Sequence, residues 1–224
     1  SLMAVANTNP DLLRKAIVDN KNGTFNVKLY KVSEESFLFF WKKKVFTPTI
    51  ITLYPTFPVA VDGKDGANPD ADANPAHAHG VDQDDKGKTE LWVRLIEKAY
   101  ALLMGSYSKI GKGGFGADAL EALTGTAYKE EVNTKDTKSR IIEMVKEGVP
   151  IEVGTKAKLD GLSTETAKFA KENSLVGGHA YAVMSADDSG LKVRNLWGIG
   201  ARNAEPVLTW AQYYEIFNQF SNKQ

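Results

Sequence analysis

The chain of 224 residues contains no cysteine. Disulfides, thiolate metal sites and a thiol nucleophile are therefore excluded from what these residues can supply alone. The redox compartment stays undecided. Charge imbalance is missing too: 28 basic and 28 acidic residues cancel to a formal +0. There is no basic face or stripe of the kind a nucleic-acid binder needs. No apolar run approaches the roughly 20 residues of a membrane span. Histidine is scarce, with three copies, and no internal repeat is visible. The opening Ser1-Leu2-Met3 does not read as a natural translation start. A signal peptide or other upstream segment would be invisible, and localisation stays open. What is present, 42% hydrophobic and 25% charged residues, is ordinary for a soluble globular domain.

Leu2 to Ala6 reads as the tail of a helix that began earlier, stopped by Asn7-Thr8-Asn9-Pro10. Thr8 or Asn9 then caps a helix over residues 11–18, with Pro10 at its first position. Residues 24–32 alternate as a strand, with Phe25, Val27 and Leu29 on one face. An aromatic run (Phe37, Phe39, Phe40, Trp41) precedes Lys42-Lys43-Lys44. Such a cluster can serve nucleic acid, but a strand whose lysines lie at a turn explains it better. Residues 44–53, rich in β-branched side chains, give another strand.

Residues 60–88 change character: Asp, Gly, Asn, Ala and Pro dominate, and an acidic, flexible surface loop is expected. It holds His77 and His79, a His-x-His among aspartates with the chemistry of a metal ligand pair. Residues 89–103 return to helical spacing, with Leu91, Trp92, Leu95, Ile96, Ala99, Tyr100 and Leu103 on one face. The glycine-rich run 111–116 lacks a preceding strand and the full phosphate-loop spacing, so it reads as a turn between helices. Helices are expected over 117–124, 137–147 and 163–172, a strand over 149–153, and a final helix over 209–220. This order gives an α+β fold.

The most informative stretch is Gly177-Gly178-His179-Ala180-Tyr181-Ala182-Val183-Met184, followed by Val193-Arg194-Asn195-Leu196-Trp197-Gly198. Turn-forming residues 185–190 separate the two, and the whole reads as a β-hairpin. If the connecting loop has an odd number of residues, His179 and Asn195 share a face. A three-residue loop sets them diagonally, backbones roughly 7–8 Å apart. A histidine oriented by an asparagine is the base half of a thiol-protease site.

The hairpin and three further anchors resemble the calpain-type cysteine proteases. Glu90-Leu91-Trp92-Val93-Arg94-Leu95-Ile96-Glu97-Lys98-Ala99-Tyr100-Ala101 is similar to that family's E-[FL]-W-x-x-L-[LI]-E-K-A-Y-A helix. Gly105-Ser106-Tyr107 with Ala119-Leu120-Glu121-Ala122-Leu123-Thr124-Gly125 resembles its next run. Gly178-His179-Ala180-Tyr181 resembles the histidine motif, and Arg194-Asn195-Leu196-Trp197-Gly198 resembles R-N-P-W-G with Leu196 for proline.

The resemblance implies a papain-like fold of calpain type: a helical part plus an antiparallel sheet carrying the His/Asn hairpin. Residues 1–224 would then be a catalytic core lacking its extreme N-terminal nucleophile segment, with a His/Asn subdomain from about residue 89 to 224. It implies His179 as general base, Asn195 as its orienting amide and Trp197 as the indole that shields the pair. It places the cysteine about four or five positions, roughly one helical turn, before Ser1. It also implies Ca²⁺, with Glu90 as one acidic ligand. Protein or peptide substrates follow, as does partnership with an upstream segment bearing the cysteine.

The leading expectation is a processed or truncated thiol endopeptidase, calcium-dependent and inert as this chain alone. A non-catalytic, calpain-like module that binds peptides or regulates a partner is the alternative. Ser1 as an N-terminal nucleophile is a third reading, disfavoured because Ser1 falls mid-helix in the resemblance. A transglutaminase-like site usually carries Asp where Asn195 stands.

Overall fold

The computed structural model describes residues 1–37, 41–57, 91–195 and 205–224. Helices α1 (Leu2–Thr8) and α2 (Pro10–Ala16) meet at Asn9, whose side-chain oxygen accepts the Leu12 amide at 3.1 Å. Pro10 follows at the position where a missing N–H costs nothing. The second helix ends earlier than its expected residue 18, because Ile17 is already extended and opens strand β1 (Ile17–Asp19).

Strands β2 (Phe25–Phe37) and β3 (Trp41–Leu53) form a long hairpin, with β1 on the other edge of β2. Val27 and Leu29 are fully buried, as the alternation predicts. The lysines are not at a turn: Lys42, Lys43 and Lys44 lie within β3, opposite Ser36, Glu35 and Glu34. Opposite charges across the strands make a basic run compatible with a sheet. Lys42 takes Glu34 at 3.0 Å.

Three helices follow: α3 (Leu91–Met104), α4 (Tyr107–Ile110) and α5 (Gly116–Thr124). α3 buries Leu95, Ile96 and Ala99, the stripe its spacing predicts. The glycine-rich run connects α4 to α5, a turn between helices as expected. Gly125 ends α5 at φ 67°, in the left-handed region. The Tyr30 ring of β2 lies so near that an added Cβ would meet its atoms at 2.7–2.8 Å. Glycine is required there twice over, by conformation and by space.

The remaining elements are β4 (Tyr128–Val132), α6 (Thr137–Lys146), β5 (Glu152–Thr155), α7 (Thr164–Glu172), β6 (Ala180–Ala186), β7 (Gly190–Asn195), β8 (Val207–Thr209), α8 (Trp210–Ile216) and β9 (Phe217–Lys223). The strands make one antiparallel sheet in the order β4-β9-β5-β6-β7-β8. The expected final helix is therefore half helix and half strand. Thr209 caps α8 through a reciprocal capping box with Gln212, but Phe217 is extended. As a strand, β9 bonds to β4 and β5 at once and buries Phe217 and Phe220 between helices and sheet. Two ladders of backbone bonds and that burial outweigh the local helical pattern.

Helices and antiparallel sheets make this an α+β protein with one contiguous core, reaching from Val27 and Leu29 through Leu120 to Tyr181 and Phe217. A buried carboxylate ties the sheets together. Glu121 on α5 is 2% exposed and accepts Lys44 Nζ of β3 at 2.6 Å and the Tyr128 amide at 2.8 Å. One lysine of the basic run thus neutralises a charge that burial would otherwise penalise heavily.

Candidate active site

His179 reaches its place through two glycines. Gly178 takes φ 66° and donates its amide to Lys156 O at 2.8 Å. A Cβ on Gly177 would meet Ala157 O at 2.7 Å. The chain therefore passes closely over residues 156–157 before entering β6, and larger residues would push it off that path. Thr155 of β5 then brackets His179. Its Oγ1 accepts the His179 amide at 2.9 Å, and its own amide donates to His179 O at 2.9 Å. The same hydroxyl donates to Val176 O at 2.8 Å.

Whether Asn195 faces His179 is a question of strand parity. Nearest the turn, Ala186 pairs with Leu191 and Ser185 with Lys192. Continued without change, that register would set Asn195 opposite Ala182, on the face away from His179. A β-bulge between Val183 and Ser185 absorbs Met184, and beyond it Val183 pairs with Val193 and Tyr181 with Asn195. The extra residue shifts the parity by one. The odd-loop argument thus meets a different cause: the pairing at the turn encloses an even stretch, 187–190, and the bulge restores the shared face. Asn195 is 5% exposed, and its Oδ1 lies 2.9 Å from His179 Nε2.

That contact sets the imidazole's chemistry. An amide oxygen can only accept, so Nε2 carries the proton, and in the neutral ring Nδ1 holds the lone pair. Tyr181, two residues on and so on the same face, stands edge-on to the imidazole with centroids 5.0 Å apart. Its hydroxyl accepts the Val176 amide at 3.0 Å. Burial raises the Tyr181 phenol above its ordinary range, with that amide bond opposing. Phe217 packs edge-on against Tyr181 at 5.7 Å, and Tyr213 stacks on Phe217 at 5.3 Å. An aromatic column from α8 and β9 thus backs the histidine.

In front of His179 lies a cavity of about 180 Å³, lined also by Gly114, Gly116, Glu130, Glu152 and Gln219. Glu130 Oε1 accepts the Ala117 amide at 2.9 Å. Burial raises its carboxyl above the ordinary range, and the Ala117 hydrogen bond partly opposes this. Glu152, 4% exposed, meets the nitrogen of Ser1 at the start of α1. α1 packs along β6, with Asn7 Nδ2 donating to Met184 O at 3.0 Å.

A profile of the calpain family of cysteine proteases matches residues 69–218, about two thirds of the chain and inclusive of both His179 and Asn195. The chain belongs to the calpain family.

Among calpain relatives, the calpain clp-1 of Caenorhabditis elegans is 36% identical over 121 residues, covering 49% of this chain and 15% of that protein. Human calpain-9 is 31% identical over 122 residues, covering 49% and 17%. The calpain-type cysteine protease DEK1 of Arabidopsis thaliana is 31% identical over 123 residues, covering 48% and 5%. The chain thus spans only a small part of the relatives' length. The matched family is one of cysteine proteases, and no cysteine is among these 224 residues.

Several sequence-predicted positions lie outside the described residues: Trp197, Glu90, the histidines His77 and His79, and the 60–88 loop. Among the described residues, no three acidic, histidine or cysteine side chains come together as a metal donor set. No helix among the described residues is long and apolar enough to cross a membrane. Thr155, Glu130, Glu152 and Gln219 escape the sequence reading. Glu152 alone left a signal, a carboxylate inside the apolar run Val149-Pro150-Ile151-Glu152-Val153.

Proposed function

We propose that this chain is the base-bearing part of a calpain-type, papain-like thiol endopeptidase, with a His/Asn subdomain over about residues 89–224. The observation that carries the reading is the 2.9 Å hydrogen bond between His179 Nε2 and Asn195 Oδ1. It selects the tautomer in which Nδ1 takes the proton of an incoming thiol. The imidazolium so formed stabilises the thiolate and lowers the thiol's pKa. The thiolate adds to the scissile carbonyl, and His179 returns the proton to the departing amine. Water then enters on the same face and gives His179 a proton as it adds to the acyl carbon; the acid leaves, and His179 returns that proton to the departing sulfur, which restores the thiol and the neutral imidazole. Asn195 holds the ring throughout. Trp197 is assigned the shielding role that the resemblance gives it.

The sulfur comes from outside these residues. Ser1 opens α1 against Glu152, and Glu152 lines the same cavity as His179. A cysteine about one helical turn ahead of Ser1 would be directed to that cavity. This chain alone is then inert, and Ca²⁺ dependence, with Glu90 as a ligand, belongs to the same reading.

The test is casein hydrolysis by the full gene product, with and without Ca²⁺ and with His179→Ala as control. Hydrolysis abolished by His179→Ala and by a thiol alkylating reagent is the expected result. A gene product that contains no cysteine, or that cuts nothing under any condition, would overturn the reading in favour of a non-catalytic, peptide-binding calpain-like module.

A further inference from the structure

The approach to β6 is not closed by backbone bonds alone. Thr155 and His179 face each other where β5 meets β6, and the Thr155 amide donates to His179 O at 2.9 Å. In a regular antiparallel pair the His179 amide would return a bond to the Thr155 carbonyl. It donates instead to the Thr155 hydroxyl, at 2.9 Å. A side-chain oxygen has taken the place of a main-chain one at the residue that carries the imidazole. The pairing of β5 with β9 shifts at the same point: Gly154 stands opposite Gln219, but Thr155 stands opposite Phe217. Such a bulge bends the strand locally, and the next amide, Lys156, donates to Ile216 O at 2.9 Å.

The Thr155 hydroxyl has a second task. Its proton goes to Val176 O at 2.8 Å, since His179 O, at 3.1 Å, already holds the Thr155 amide. The amide of the same valine donates to the Tyr181 hydroxyl at 3.0 Å. Both backbone polar groups of Val176 are thus held by hydroxyls, one from β5 and one from β6. Between Val176 and His179 stand only Gly177 and Gly178, the residue type with the widest backbone freedom. The hydroxyls fix what the glycines leave loose. Thr155 is 6% exposed and Tyr181 1%, so these bonds form in a setting where water competes little. Every partner lies within residues 155–181, and the bonds therefore hold whatever occupies the space in front of the imidazole.

We propose that Thr155 is a positioning residue for His179: its hydroxyl sets the path of the two glycines and so keeps Nε2 on Asn195 and Nδ1 toward the thiol. The Tyr181 hydroxyl is its counterpart on the other side of Val176. The inference rests on the protease reading above. Serine can make the same two bonds, and valine, of the same size, can make neither. Thr155→Val leaves the His179 amide without its acceptor and Val176 O without its donor, both in a buried setting. These groups regain partners only by shifting the glycine path, and the imidazole moves with it. A displacement of about 1 Å at a reacting group can cost about 100-fold in rate. The loss falls on kcat, because the group displaced is the proton carrier.

The test compares Thr155→Val and Thr155→Ser in the full gene product, with urea unfolding to confirm that each is folded under assay conditions. Thr155→Val should lower kcat by about tenfold or more with KM within about twofold, and Thr155→Ser should stay within about threefold of wild type. A folded Thr155→Val with unchanged kcat would overturn the proposal, as would a serine variant as poor as the valine one, which would assign the effect to packing of the methyl group. If Thr155→Val does not fold, Tyr181→Phe takes its place: it keeps the ring and removes the other hydroxyl. It should lower kcat by about twofold or more at constant KM, and an unchanged kcat would overturn the pair. If the full gene product cuts nothing, the protease reading fails separately and nuclear magnetic resonance decides. With nitrogen-labelled histidine, the Nε2 proton held by Asn195 gives an imidazole signal that is missing in His179→Ala. That signal should persist in Thr155→Ser and be lost to solvent exchange in Thr155→Val. Its absence from the wild type, or its persistence in Thr155→Val, would overturn the positioning role.

Discussion

Replacing Lys44 by methionine removes one ammonium and keeps most of the stem, so it isolates the charge that joins the two sheets. Lys44 Nζ lies 2.6 Å from Glu121 Oε1 and 3.3 Å from Tyr128 O. The Glu121 side chain is 2% exposed and that of Lys44 is 37% exposed. Removing one partner of a buried pair costs about 3–5 kcal/mol, because the other charge stays buried and unpaired. Two features lower the figure here. The Tyr128 amide still donates to the carboxylate at 2.8 Å, and the lysine end of the pair is open to water. We expect Lys44→Met to destabilise the protein by about 2–3 kcal/mol. At about 2–4 °C per kcal/mol for a chain of this size, that lowers Tm by about 4–12 °C. Urea unfolding followed by tryptophan fluorescence reads it, since Trp210 is buried in the shared core. The double variant Lys44→Met/Glu121→Gln should be more stable than Lys44→Met alone, because no charge is then left without a partner. A Lys44→Met loss below about 0.5 kcal/mol, the range of ordinary surface substitutions, would refute the argument. So would a double variant weaker than the single.

Asn195→Ala in the full gene product should lower kcat by about 10–100-fold or more with little change in KM, since the tautomer and not substrate binding is lost; an equal fall in both halves of the ratio would argue for a general structural defect. Gly125→Ala should cost about 2 kcal/mol or more, from a left-handed φ that alanine disfavours and from contact with the Tyr30 ring; an unshifted urea midpoint would contradict it. Glu130 has its carboxyl raised above the ordinary 4.5, chiefly by burial. The folded state therefore holds its proton at pH values where the unfolded chain has lost it, and stability falls as pH rises from 4.5 through the raised value. Glu130→Gln should remove that decline and leave the protein more stable at neutral pH, as measured by urea midpoints from pH 4 to 7.

The parts of the fold that could be read from the sequence are those whose signals are local. The stripe Leu95, Ile96, Ala99 marks α3, Asn9-Pro10 marks the start of α2, and Val27 with Leu29 marks the inner face of β2. The pairing of residues 179–186 with 190–195 is equally local, because a turn cluster separates two alternating runs. The parity of that pairing is not. Loop length alone cannot reveal that Met184 is absorbed in a bulge, since a bulge depends on how both strands pack against their neighbours. Strand β4 left no signal, because Tyr128-Lys129-Glu130-Glu131-Val132 has one buried residue, three charged ones and an exposed valine. Its place is decided by pairing with β9, far away in sequence.

That distant pairing also explains why the most consequential misreading concerns residues 217–220. Helical spacing puts Phe217 and Phe220 in line with Trp210 and Tyr213, and a strand puts them beneath the sheet. The choice has functional weight, because β9 touches the candidate site at three points. Phe217 backs Tyr181, which stands against His179. Gln219 lines the cavity. Ser221 Oγ accepts the Glu152 amide at 2.8 Å and so fixes the strand that carries the buried carboxylate. Had the helix continued, none of these contacts could form, and β5 would lose its partner on that edge. The hairpin holds the histidine and asparagine together, but the last strand of the chain determines what they face.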